Sequence, residues 1–217
     1  MDTNISDSIT NKISIIDYDM GNVWSVVSAL KYLGVDSELI SDPEKILNSN
    51  AIILPGVGSF QKAMKTLRIR GLDEAIISAV LKRNAKILGI CLGMQLLGSY
   101  GTENGESKGL GLVENKVEIF KPNELGKNKI PHVGFNQVDV KNNTGLFKNI
   151  PSKANFYFTH SYRMLSEGQE GNYATCDYGI NFLAGFQKNN ICGVQFHPEK
   201  SQSNGLILLK NFIDLPA

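Results

Sequence analysis

Residues 86–97 read KILGICLGMQLL, and this stretch decides the fold. Lys86 to Ile90 is a short apolar run of the kind shown by a strand buried on both faces, and Met94 to Leu97 starts a helical pattern. Between them Gly89-Ile90-Cys91-Leu92-Gly93 makes a sharp strand-to-helix turn with a cysteine at its apex. That is the context of a nucleophile elbow, with a thiol in the place of a serine hydroxyl. The flanking glycines follow from the geometry, because the apex forces strained dihedrals and brings neighbouring backbones too close for side chains. A thiol at the start of a helix is favoured as thiolate, the attacking species. In isolation, GxCxG serves equally well as a turn around a small buried cysteine.

Upstream, Ile13 to Asp17 reads as a buried strand running into the turn Tyr18 to Gly21. Val23, Val26, Val27, Leu30 and Leu33 then recur at helical spacing, with Asn22 placed to cap the start and Gly34 to end it. Ala51 to Leu54 gives a second strand ending in Pro55 to Gly58, and Leu72 to Leu81 an amphipathic helix before the strand at Lys86. The alternation predicts an α/β fold: an open, mostly parallel central sheet with helices on both faces. Downstream, Val117–Phe120, Gln137–Val140, Asn155–Thr159, Tyr173–Cys176, Phe182–Gln187 and Cys192–Phe196 read as strands joined by turns, hence antiparallel additions in the second half. A last helix, Ser203 to Phe212, turns Leu206, Leu209 and Phe212 to the core. Residues 1–11 read as a flexible leader and 12–217 as one domain.

A chain of 217 residues, 42% hydrophobic, suits one such domain. Its 22 basic and 21 acidic residues make no field that would hold phosphate backbones, so nucleic acid is not an expected partner. No apolar run approaches the roughly 20 residues of a membrane span, and the polar start is no signal peptide. A soluble, cytoplasmic protein is expected. Cys91, Cys176 and Cys192 form no CxxC pair, and His132, His160 and His197 are too dispersed for a metal motif. No metal and no cofactor is expected.

The elbow gains meaning from Gln195-Phe196-His197-Pro198-Glu199-Lys200. A histidine and a carboxylate two residues apart, just after a strand, point the same way. His197 is placed to take the thiol proton and return one to a leaving amine, while Glu199 holds its tautomer and stabilises the imidazolium. Cys91, His197 and Glu199 complete a triad.

GICLGMQ around Cys91, PGVG at 55–58 and QFHPE at 195–199 resemble the class I, or triad, glutamine amidotransferases. IIDYDMGN at 15–22, PGVGSFQKAM, KGLGL at 108–112, PHVGFN at 131–136, FYFTHSY and QFHPEKS are similar, within that class, to the glutaminase subunit of imidazole glycerol phosphate synthase in histidine biosynthesis. The resemblance covers nearly everything after the leader. It implies hydrolysis of L-glutamine through a Cys91 thioester, with Gly58 and Leu92 giving backbone N–H groups to the oxyanion and the PGVG loop rearranging first. It implies that Gln95, Glu103 and the backbone of Ser161 and Tyr162 hold the amino acid end, although the acidic segment around Glu103 differs in length and composition from the usual one. It also implies a partner, a (β/α)8 barrel cyclase forming a heterodimer and receiving the ammonia, with His132, Phe135, Asn136 and Tyr157 near the contact.

Phe135 stands where the histidine-pathway subunits usually have tryptophan. HVGFN and EKSQSNG resemble paralogous glutaminases that feed an ATP-dependent sugar-nucleotide amidotransferase in surface-polysaccharide synthesis. A non-catalytic regulatory subunit of the same shape and a free-standing cysteine hydrolase are the readings from other classes.

Overall fold

The computed structural model describes residues 12–103, 105–166 and 171–216, so the leader expected at 1–11 lies outside the described residues. In chain order the elements are β1 (Ile13–Ile16), α1 (Val23–Tyr32), β2 (Ser37–Ile40), α2 (Pro43–Leu47), β3 (Ala51–Gly56), α3 (Phe60–Ile69), α4 (Leu72–Lys82), β4 (Lys86–Cys91) and α5 (Leu92–Leu96). They continue with β5 (Tyr100–Gly101), β6 (Ser107–Lys108), β7 (Lys116–Ile119), β8 (His132–Val140), β9 (Lys153–His160), β10 (Tyr162–Met164), β11 (Asn172–Asp177), β12 (Asn181–Lys188), β13 (Ile191–Val194) and α6 (Gln202–Asp214).

One sheet has the strand order β2-β1-β3-β4-β13-β12-β11-β8-β9. It is parallel from β2 through β13 and antiparallel from β13 to β9, as the change in sequence character predicts. The two-residue period of a strand sorts its apolar residues onto opposite faces. Ile13, Ile15, Ile53, Leu88 and Ile90 pack with Val26 and Leu30 of α1 and Leu208 and Phe212 of α6. Ile16, Ile52, Leu54 and Ile87 pack on the other side with Phe60, Ile76 and Met94 of α3, α4 and α5. Both faces are therefore covered, and β1, β3, β4 and β13 are buried along their whole length while the edge strand β2 is half-buried.

The antiparallel half curls back on itself. β9 is the last strand in the order, yet its residue Tyr157 meets the chain just beyond β13: His197 N donates to Tyr157 O at 2.8 Å, and Tyr157 N donates to Ser201 Oγ at 2.9 Å. Asn204 Nδ2 adds a bond to Asn155 O at 3.2 Å. This return brings β9 to the ends of β4 and β13, where the functional residues lie.

Some elements differ from the expected ones. Asn22 makes no cap; its amide donates to Ser25 Oγ at 2.7 Å instead. β8 begins at His132, five residues before the expected start at Gln137. The α3 helix and the half-buried β2 are not among the expected elements, although Phe60, Ala63, Met64 and Leu67 recur at helical spacing along the buried face of α3.

Candidate active site

Cys91 ends β4 and caps α5 with φ 55° and ψ −110°, a conformation L residues seldom adopt. The turn is tight because α5 presses on the strands. A Cβ on Gly93 would lie 1.7 Å from Leu54 O, and one on Gly89 would lie 2.6 Å from Met94 N. The expected need for glycine on both sides of the cysteine thus has specific atoms behind it.

β13 lies parallel to β4 in a register that pairs Val194 with Ile90, so both chains leave the sheet side by side. His197 follows three residues later, buried, with Nδ1 2.8 Å from Glu199 Oε1. Nε2 is buried with no hydrogen-bond partner among the described residues. Burial alone would depress the imidazole. The Cys91 thiol and the Glu199 carboxylate outweigh it and raise the pKa to about 10. The thiol is thus close enough to act on the imidazole, but no hydrogen bond of normal length and angle joins them. Such looseness is common in ligand-free sites and tightens with substrate.

Cys91 Sγ instead lies 3.9 Å from Thr159 O and 3.7 Å from Gln195 Nε2. Gln195 is fully buried, and its Oε1 accepts from Gln95 Nε2 at 2.9 Å. Gln95 Nε2 donates its other hydrogen to Tyr162 O, also at 2.9 Å, leaving the Gln95 carbonyl oxygen as its remaining group for a ligand. A cavity of about 280 Å³ joins Val57, Gly58, Cys91, Leu92, Gln95, Thr159, His160, Ser161 and Tyr162. A larger one, about 830 Å³, opens at the far end of the sheet beside Ser14, Ala51 and Lys86. Ligands of open α/β sheets bind beyond the carboxyl ends of the strands, which favours the smaller cavity that holds the thiol.

The expected oxyanion donors flank that cavity. Leu92 is the first residue of α5, so its N–H has no acceptor within the helix. Gly58 has φ +100°, open to glycine alone at low cost. Between them Val57 N–H is engaged by Met20 O at 2.9 Å, which ties the loop to the turn after β1. Glu103 receives the Phe60 N–H at 2.7 Å, at the start of α3, and lies close enough to help raise the Tyr162 phenol, after the effect of burial. Its position is therefore structured, outside the lining of the thiol cavity, with its other oxygen in no hydrogen bond among the described residues.

The expected contact residues divide. Phe135 is 52% exposed and Tyr157 half-buried, their rings 5.6 Å apart. Asn136 is half-buried. His132 is only 2% exposed, stacked on Phe158 at 4.6 Å and Tyr178 at 3.9 Å, so its side chain offers nothing to a partner. This corrects the expectation: within β8 it is Val133 and Phe135 that face outward. Two further buried groups give no signal of their own in the sequence. Gln195 sits two residues before His197, inside the quoted motif. The Tyr18 hydroxyl is buried without a partner among the described residues, 2.4 Å from where a Gly56 Cβ would be, and is pushed up by burial first and by Cys91 second.

Burial holds His132 at about 4 and His160 at about 3. Both lie below the unfolded value, so unfolding takes up protons in acid. The stability they contribute is present above about pH 6.5 and is lost as the pH falls, by up to roughly 1.4 kcal/mol per pH unit for each. His197, raised instead, contributes fully below about pH 6.5 and loses that contribution as the pH rises toward about 10. Urea midpoints measured between neutral pH and about pH 5, above most carboxylate titration, should therefore fall; a flat profile would mean that the pair is not buried neutral.

An apical cysteine on a strand-to-helix turn, beside a buried His–Glu pair on an α/β sheet, is the arrangement suited to attack on a carbonyl carbon through a thiolate. A family model for class-I glutamine amidotransferases matches residues 14–215, and the chain belongs to that family. It is 48% identical over 204 residues to the imidazole glycerol phosphate synthase subunit HisH 1 of Parasynechococcus marenigrum, covering 94% of this chain and 97% of that one. It is 45% identical over 203 residues to the corresponding HisH subunit of Moorella thermoacetica, covering 94% of each. The crystal structure of a glutamine amidotransferase from Thermotoga maritima superposes with a TM-score of 0.61 at 17% identity, over 94% of this chain and 80% of that one, which bears on the fold alone.

Proposed function

We propose that this chain is the glutaminase subunit of an imidazole glycerol phosphate synthase in histidine biosynthesis. It hydrolyses L-glutamine on Cys91 and hands the ammonia to a synthase subunit. The observation that carries the chemistry is the His197–Glu199 pair, 2.8 Å apart with buried side chains, just beyond the end of β13, the strand next to the Cys91 elbow. His197, raised in pKa by Cys91 and Glu199, holds the thiol's proton as imidazolium, and Sγ, as thiolate, bonds to the amide carbon. The tetrahedral oxyanion takes hydrogen bonds from the Leu92 and Gly58 N–H groups, and His197 returns the proton to the departing ammonia. Water, deprotonated by His197, then cleaves the thioester to glutamate. Gln95 Oε1, the free oxygen of Glu103 and the Ser161–Tyr162 backbone hold the ammonium and carboxylate of the substrate.

The two HisH relatives support a synthase partner, and we read it as a (β/α)8 barrel cyclase in a heterodimer that covers the mouth. Val57, Val133 and Phe135, 41%, 56% and 52% exposed, are apolar surface suited to such a contact. Three cysteines without a disulfide, and no helix among the described residues long and apolar enough to cross a membrane, fit work in the cytoplasm.

An electrophilic glutamine analogue tests the reading. With the synthase subunit present it should attach to Cys91 alone, since burial raises Cys192 strongly and Cys176 to about 12. Labelling of Cys176 or Cys192, or none, overturns the mechanism.

A further inference from the structure

His132 and His160 are two of the chain's three histidines, and the proposed chemistry leaves both idle. They are buried and bonded to each other, His132 Nδ1 to His160 Nε2, at 3.1 Å. His160 Nδ1 lies 2.8 Å from the Tyr162 carbonyl, and His132 Nε2 lies 3.4 Å from Asn136 Nδ2. These contacts fix every proton. A carbonyl only accepts, so His160 Nδ1 carries hydrogen and its Nε2, in a neutral ring, must accept. His132 must then donate from Nδ1 and accept at Nε2 from the Asn136 amide. Protonating either ring would set two N–H groups head to head, and burial holds both neutral at physiological pH. Donation therefore runs one way, from half-buried Asn136 on β8 to the Tyr162 carbonyl.

That carbonyl receives a second bond from Gln95, whose other hydrogen goes to Gln195, and Gln195 reaches Cys91 Sγ. Its two acceptor positions are thus filled by two side chains that approach from different elements. The peptide that follows Tyr162, a residue of the cavity wall, is held in one plane.

We propose that His160 and His132 are positioning residues for glutamine. Locked in the Nδ1–H tautomer, they anchor the backbone at Tyr162 and through it the Ser161–Tyr162 wall in the orientation that receives the substrate's amino acid end, without touching the reacting atoms. The inference rests on the glutaminase reading, and its tests fail separately from that reading.

In the synthase complex, His160→Ala should raise the KM for glutamine about tenfold or more, with kcat changed less than about threefold and ammonium-driven turnover unchanged. His160→Asn places an amide N–H near the position of Nδ1 and should recover most of the loss. His160→Gln places it near Nε2 and should not. Nitrogen NMR of the full-length wild-type chain supplies a readout independent of any variant's folding: both rings should show the neutral Nδ1–H tautomer near neutral pH. An Nε2–H tautomer or a protonated ring overturns the proposal, as does a folded His160→Ala with unchanged KM or equal behaviour of the Asn and Gln variants. Lack of glutamine turnover in the wild-type complex would instead overturn the glutaminase reading and leave the tautomer result standing.

Discussion

Replacing Cys91 by alanine should lower glutamine-driven turnover of the synthase complex by about 10⁴-fold or more, while turnover fed by ammonium salts continues. The size follows from the chemistry. Without the thiol no thioester forms, and neither water nor the remaining side chains offer a comparable nucleophile at neutral pH. What is left is the contribution of binding and of the oxyanion donors alone. Alanine fits the site, because Cys91 is 5% exposed and makes only long sulfur contacts at 3.7 and 3.9 Å. A parallel loss of both activities would point to a collapsed complex, and retained glutamine use would end the thioester mechanism. Steady-state assays with the two nitrogen sources separate these outcomes.

Gly93→Ala should be among the most destabilising single substitutions in the protein. Within a helix, alanine is ordinarily better than glycine by about 1 kcal/mol. Here the new Cβ would fall 1.7 Å from Leu54 O, a backbone atom of β3 that cannot rotate away. Relief requires moving α5 off the sheet, which loosens the packing of Leu92, Met94 and Leu96 on the far side of the sheet core. We expect a net loss of about 3 kcal/mol or more, a large part of the roughly 5–15 kcal/mol that holds a domain together. Gly111→Ala is the control: φ there is +65° and nothing lies within 4 Å, so only the left-handed backbone strain of roughly 1 to 2 kcal/mol applies. Urea unfolding checks both. If Gly93→Ala is no less stable than Gly111→Ala, helix and strand are not as close as described.

The fold class and the triad are legible in the sequence because both depend on local pattern. The apolar run into Cys91 and the two-residue offset of His197 and Glu199 state strand, turn and shared direction directly. The strand order is less so. That β13, the last strand in chain order among the described residues, inserts beside β4 is a long-range pairing which no window of sequence contains. His132 is hidden for a different reason. In β8 the outward residues Val133 and Phe135 are apolar while the inward His132 and Asn136 are polar, the reverse of the usual alternation. Read by hydrophobicity, that strand starts five residues late, and its buried imidazole is taken for surface. Gln195 is easily passed over because its value lies in two amide contacts, to Gln95 and Cys91, that only tertiary structure creates.

The return of β9 to the chain beyond β13 has a consequence for solubility. An edge strand of eight residues, Lys153–His160, would ordinarily present unpaired N–H and C=O groups as a template for another chain. Here Asn155 O and both backbone groups of Tyr157 are occupied by Asn204, His197 and Ser201. The segment that carries the histidine and glutamate is thus also a cover strip over the sheet's margin at β9. Damage that pulls it loose should do more than silence the enzyme: it should leave a bare strand that invites self-association into aggregates.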